Sequence, residues 1–193
     1  HRVDRRQRQM CIRDRLYNMK LKNNNTAYGL IARIFHWFTF LILLIQLPLG
    51  IYLDNLEFSE FKLTVENIHV IIGLSVFYIT LLRLLWKTYN VQPSSSGISK
   101  FQIIAGKATH WLFYITLLAI TVSGILKLLL SGEEVNFIFF QKSIDYFNYD
   151  LADQFQVIHV LSAYFLLIIF TIHLGAVVYH HVFQKDPILK RMI

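Results

Sequence analysis

With 193 residues, 55% of them apolar, only 16% charged and a mean hydropathy of +0.46, the chain has the length of one domain but not the chemistry of a soluble globule. Its one cysteine, Cys11, excludes an intrachain disulfide framework. The formal charge of +7 sits in tails and loops between apolar stretches, which argues against a nucleic-acid partner and for a membrane.

Residues 1–18 (HRVDRRQRQMCIRDRLYN) hold six of the nineteen Lys and Arg but two of the twelve acids. The string CIRDR resembles translated adapter sequence, so 1–18 is expected to be a non-native or disordered extension, leaving 19–193 as a single domain. Met19 to Ala32 is polar and basic, with Thr26 a candidate helix cap. Ile34 to Leu53 then gives twenty residues without Asp, Glu, Lys or Arg, enough to cross a bilayer as a helix over 34–53. His36-Trp37 opens this span, and Pro48 and Gly50 lie late in it, where membrane helices tolerate them. An acidic loop (Asp54, Glu57, Glu60 and Glu66, opposed by Lys62) leads to a second span over 67–86. His69 stands near its start and Arg83 near its end, after sixteen charge-free residues, so the Arg83 head is expected to snorkel. The next loop is basic, with Lys87, Lys100 and Lys107 around the flexible run Gln92 to Gly97.

A third span over 108–130 carries His110, Gly124 and Lys127. The stretch 131–156 has five acids (Glu133, Glu134, Asp145, Asp150, Asp153) against Lys142. Its aromatic cluster, Phe137, Phe139, Phe140, Tyr146, Phe147 and Tyr149, suits a short interfacial segment. The fourth span, 157–181, carries His159 and His173 and ends at His180-His181, before Lys185, Lys190 and Arg191. No internal repeat is expected. The fold class that follows is all-α, an integral membrane four-helix bundle. The excess of Lys and Arg in alternate loops puts both termini in the cytoplasm, N-in and C-in.

Histidines are the chemistry-bearing residues of these spans. His159 and His173 are fourteen residues apart, so they share a helix face and stand roughly 21 Å apart along the axis. The topology matches them in depth with other histidines: His69 with His159 near the outer face, His36 with His173 near the inner one, and His110 as a third inner histidine. Two histidines suffice for haem, whose porphyrin supplies the remaining ligands. Zinc would need three or four protein ligands, and no acid or cysteine stands at these depths. An interhelical hydrogen bond or proton relay is the alternative for any one histidine taken alone. Glycines fall where a flat macrocycle would approach the backbone. Gly50 follows His36 by fourteen, Gly124 follows His110 by fourteen, and Gly73 lies one turn past His69. Ordinary helix packing would also use such residues. Arg83 follows His69 by fourteen, which faces it to the inner site, where it could pair a haem propionate.

Several short strings together resemble the prokaryotic cytochrome b561 family, four-helix di-haem cytochromes of the bacterial inner membrane. They are Ile34-Phe35-His36-Trp37, Asn67-Ile68-His69-Val70, Thr109-His110-Trp111, Ile158-His159-Val160, Ile172-His173-Leu174 and the ending Tyr179 to Asp186. The resemblance covers about Tyr28 to Ile193. It implies two haem b groups with His36, His69, His159 and His173 as axial ligands, quinone or quinol as electron partner, and electrons passing across the bilayer. In that pattern His110 is not a ligand. His110, Lys107 and His180 are then possible quinone or propionate contacts. The 131–156 loop departs from the family's commoner pattern, so nothing at that face is carried over.

Two further functions stand beside a stand-alone electron carrier. The chain could be the haem-bearing membrane anchor of a hydrogenase or other respiratory oxidoreductase, recognisable by a co-purifying iron–sulfur subunit. A haem-free transporter would purify colourless, but four helices without an intramembrane acid offer it little. A homodimer is compatible with either haem-bearing form.

Overall fold

Four helices, each long and apolar enough to span a membrane, account for most of the residues described in the computed structural model: α1 (Leu30–Asp54), α2 (Glu60–Tyr89), α3 (Lys100–Leu130) and α4 (Tyr149–Val182). The described residues are 21–94, 99–137, 140–185, 189 and 192. The 1–18 extension, Ser95 to Gly97, Phe139, Asp186 and the Lys190-Arg191 pair lie outside them.

Each helix exceeds its predicted span, and for three of them a polar cap sets the start ahead of the apolar core. Ser59 accepts from Lys62 N at 3.2 Å to start α2. Ser99 and Gln102 form a reciprocal capping box at the start of α3. Asn148 accepts from Leu151 N at 3.0 Å and starts α4 eight residues before the predicted boundary at 157. For α1 the expected cap was wrong. Gly29 takes the N-cap position without a side-chain bond, while Thr26 bonds instead to Asn24 Oδ1. The segment before α1 is knitted to the second loop, through Asn23 Nδ2 to Val91 O and Ser94 N to Asn25 O.

Gly132 closes α3 with φ of 82°, the left-handed conformation that lets its N–H and that of Glu133 reach the carbonyls of Leu129 and Leu128. The aromatic segment beyond is a small antiparallel hairpin, β1 (Val135–Asn136) with β2 (Gln141–Lys142). Val135 is buried against Leu74 and Leu128. Tyr78 Oη donates to Phe137 O at 2.9 Å, which pins this hairpin across the end of the bundle.

Consecutive helices pack side by side, with α3 on α4 the most extensive pairing. By contrast, α1 and α4 meet only at scattered points, among them the stacked rings of Phe40 and Phe170, 6.0 Å apart. A mid-depth core of Val76, Leu117, Leu166 and Ile169 joins α2, α3 and α4, with Ile42, Leu43 and Leu47 of α1 against it. Large apolar side chains such as Leu41, Ile45, Ile71, Leu85, Ile168 and Ile172 stay exposed, as lipid-facing positions require. Hydroxyls inside the spans satisfy themselves on the preceding turn, as Thr80 does on Val76 O at 2.7 Å.

The helix pairs obey two fixed antiparallel registers. In α1–α2, His36 faces Arg83, Gln46 faces Gly73 and Gly50 faces His69. In α3–α4, His110 faces His173 and Gly124 faces His159. The two hairpins share one spacing pattern. His36-Trp37 with Gly50 fourteen residues on, then Ile68-His69-Val70 with Arg83 fourteen on, corresponds to His110-Trp111 with Gly124, then Ile158-His159-Val160 with His173. Unequal connections, 50 to 69 against 124 to 159, obscured it in the linear chain.

Candidate functional site

The helices gather the intramembrane histidines into two groups, one at each end of the bundle. The acidic end, bordered by Glu66 and Glu133, holds His69 of α2 and His159 of α4. Their ring centroids are 6.1 Å apart with planes at 69°. Metal–imidazole bonds of about 2 Å on each side, with the ring radius added, give a centroid separation of about 6 Å for one iron between two histidines.

Each ring packs closely against a glycine, where a side chain would crowd it. A Cβ on Gly50 would come within 3.1 Å of His69 Cε1, and a Cβ on Gly124 within 3.0 Å of His159 Cε1 and Nδ1. Both glycines therefore pack directly against an imidazole. Gly73 does not: its missing Cβ makes room for the Gln46 carboxamide, 3.3 Å away. His159 Nδ1 lies 2.7 Å from the carbonyl of Ile120, which can only accept, so Nδ1 carries the proton. Its Nε2 is then unprotonated, with the lone pair that a metal would need. His69 Nδ1 is buried without a hydrogen-bond partner among the described residues. This donor set fits axial ligation of haem: two imidazoles at the right separation, one with its tautomer fixed. Among the described residues no group of three or more His, Cys, Asp or Glu could hold a bare metal ion. Lys127, near this end, is bridged to Glu66 and Glu133 at 3.4 Å each.

A seated ring makes Gly124 sensitive to size. Gly124→Val is expected to push the His159 ring off the Ile120 carbonyl and to lower haem retention at this end at least tenfold, measured by haem loss to an acceptor protein.

The basic end holds His36 of α1, Arg83 of α2, His110 of α3 and His173 of α4. His173 lies 6.3 Å from His110 and 5.4 Å from Phe113 between ring centroids. Arg83 Nη2 is 3.4 Å from His36 Nδ1, and its guanidinium stands 6.0 Å from the Tyr114 ring. Lys87 Nζ sits over both Trp111 (4.6 Å) and Tyr114 (4.9 Å). Two cations supported by aromatic faces, with no ion pair to a carboxylate among the described residues, form a cradle for anionic groups such as propionates. Arginine only donates, so its contact at His36 Nδ1 places the ring proton on Nε2. If His36 were to hold a metal through Nε2, Arg83 would have to release Nδ1, and its guanidinium would then be available to such a group.

Lys107 is exposed one turn before His110. His180, half-buried, packs edge-on against Tyr179 at 5.9 Å. Trp37 Nε1 donates to Met192 O at 2.8 Å, which brings Met192 to the start of α1. Gln46, Tyr114 and the Ile120 carbonyl were missed in the sequence. A lone Gln inside an apolar span was the one available signal for the first.

A family model described as prokaryotic cytochrome b561 matches residues 27–193. The chain is 26% identical over 179 residues to cytochrome b561 homolog 2 of Escherichia coli (strain K12), covering 91% of this chain and 95% of that protein. It is 25% identical over 160 residues to the probable superoxide oxidase CybB of Yersinia pestis, covering 82% and 90%. With cytochrome b561 homolog 1 of Escherichia coli (strain K12) it shares 29% over 137 residues, covering 70% and 78%.

Proposed function

The chain belongs to the prokaryotic cytochrome b561 family, and from that premise we propose that it carries electrons across the bacterial inner membrane between two b-type haems, one at each end of the bundle. Membrane electron transfer and haem b are what the family implies. The number of haems, the ligands and the electron partner are our reading. The observation that carries it is the His69–His159 pair: rings 6.1 Å apart, each in a glycine notch, with His159 held in the metal-binding tautomer by Ile120.

His69 and His159 would hold the acidic-end haem, and His36 and His173 the basic-end one. When bound, the haems supply reversible one-electron carriers at two depths. The chain's own residues seat the rings, fix their tautomers and offer Arg83 and Lys87 to the propionates. The mid-depth core excludes water between the two levels. By the distribution of Lys and Arg, the basic end faces the cytoplasm.

Quinol is the favoured electron donor, at the basic end beside Lys107, His110 and His180, where an uncharged ring can meet hydrogen-bonding groups at the membrane edge. One relative is named as a probable superoxide oxidase. An anion approaching the acidic end here would meet Glu66 and Glu133, with Lys127 already bridged to both, so electrostatics favours the neutral reductant. A role as anchor subunit needs a catalytic partner, and co-purification of an iron–sulfur protein would favour it.

The deciding experiment is a reduced-minus-oxidised spectrum with haem quantification on the purified, fully loaded protein. Two b-type haems per chain are expected, reducible by a quinol analogue. One haem per chain would overturn the two-site reading, and a colourless protein the function.

A further inference from the structure

The two hairpins match at the acidic end except in how each histidine is held. His159 gives its Nδ1 proton to the carbonyl of Ile120, four residues before Gly124. The matching place in the first hairpin, four residues before Gly50, is Gln46. A residue needed only for packing there would be aliphatic, as Ile120 is. Gln46 is instead a carboxamide in the middle of a membrane span, only 8% exposed.

Its placement is specific. Nε2 donates to the backbone carbonyl of His69 at 2.9 Å, and the group occupies the notch left by Gly73. Gln46 Oε1 is buried without a partner among the described residues, and so is His69 Nδ1. In a span, unpaired buried polar atoms are costly and call for a pairing. These two are complementary: an acceptor oxygen, and a ring nitrogen that carries a proton whenever Nε2 binds a metal. The carbonyl already held and the ring nitrogen belong to the same residue, so one carboxamide can serve the backbone with Nε2 and the ring with Oε1.

We propose that Gln46 is the positioning residue for His69, anchoring its helix turn and accepting from Nδ1 the hydrogen bond that Ile120 accepts from His159. The proposal rests on the reading that His69 and His159 ligate one haem iron. An acceptor at Nδ1 fixes the ring plane and strengthens the imidazole as a donor, which stabilises the oxidised iron. The acidic-end haem thereby has one ligand tuned by a backbone carbonyl and one by a replaceable side chain.

The test is a redox titration and low-temperature electron paramagnetic resonance on the purified di-haem protein. Gln46→Leu is expected to favour reduction of the acidic-end haem about tenfold, a rise of about 59 mV for a one-electron couple. It should also move the low-spin g-values that report the angle between the imidazole planes. Gln46→Glu, equal in shape and a stronger acceptor, is expected to shift the potential the opposite way. The basic-end haem is the internal control and stays at its parent values. Unchanged potential and g-values in both variants, or shifts of the same sign, overturn the proposal, since loosened packing alone gives no sign reversal. If His69→Ala leaves the haem content of the parent protein unchanged, the ligation reading fails instead, and the two failures are distinguishable.

Discussion

On the proposed two-haem arrangement, alanine at either His69 or His159 is expected to remove the acidic-end haem altogether, so that haem content falls from two per chain to one. Among the described residues no other side chain stands where it could take the lost position. Of the eight histidines, the remaining described ones lie at the basic end or beyond it, at His36, His110, His173, His180 and His181. The groups around the two rings are Gly50, Gly124, the Ile120 backbone and the Gln46 amide, none of which binds iron as imidazole does. Lys127 is held by two carboxylates. The loss is therefore larger than the ten- to hundredfold typical of an outer-shell change. Because Val76, Leu117, Leu166 and Ile169 separate the two levels, the basic-end haem keeps its spectrum in either variant. Haem quantification by alkaline pyridine with a reduced-minus-oxidised spectrum checks both halves. Two haems retained in His159→Ala would mean that the ring pair at 6.1 Å is a packing contact.

Much of this fold is legible in the chain because a bilayer leaves few options. Twenty charge-free residues after Arg33 must form a helix, and four such stretches with short connections must form a bundle. The fourteen-residue spacing of His159 and His173 likewise fixes their shared face without any knowledge of neighbours. What a linear reading cannot supply is register between helices. That Gly50 lies against His69, and Gly124 against His159, depends on how far α1 slides along α2 and α3 along α4. The spacing selected Gly50 and Gly124 but could not show that each packs against a histidine ring. The equal spacings of the two hairpins were visible one by one, but their pairing across each hairpin appears only when 36 faces 83 and 110 faces 173. Gln46 and the Ile120 carbonyl escaped notice because one is a single polar letter in an apolar run and the other is backbone. Capping misled at Thr26, where Asn24 captured the hydroxyl and left Gly29 to begin α1.

At the basic end His36→Ala is expected to abolish or convert the haem, whereas His110→Ala is expected to leave it six-coordinate. Ring distance alone suggests otherwise, since His110 stands 6.3 Å from His173, the separation a shared iron would produce. Helix packing decides between them. His110 and His173 face each other on α3 and α4, which lie in direct contact along their length, and directly packed helices are about 8–10 Å apart. A porphyrin cannot enter between two helices that close. The proposed acidic-end ligands obey the opposite rule, coming from α2 and α4, which are not so packed, and so does the proposed pair His36 and His173, from α1 and α4. Arg83 supplies the second argument, because its contact with His36 Nδ1 is the one polar link in this group that metal binding must break. Arg83→Leu should accordingly leave His36 free to bind while weakening haem retention through the lost propionate partner. Spin state read from the Soret band and from electron paramagnetic resonance separates the variants. A high-spin or missing basic-end haem in His110→Ala, with His36→Ala unaffected, would make His110 the ligand opposite His173 and would require α3 and α4 to part on loading.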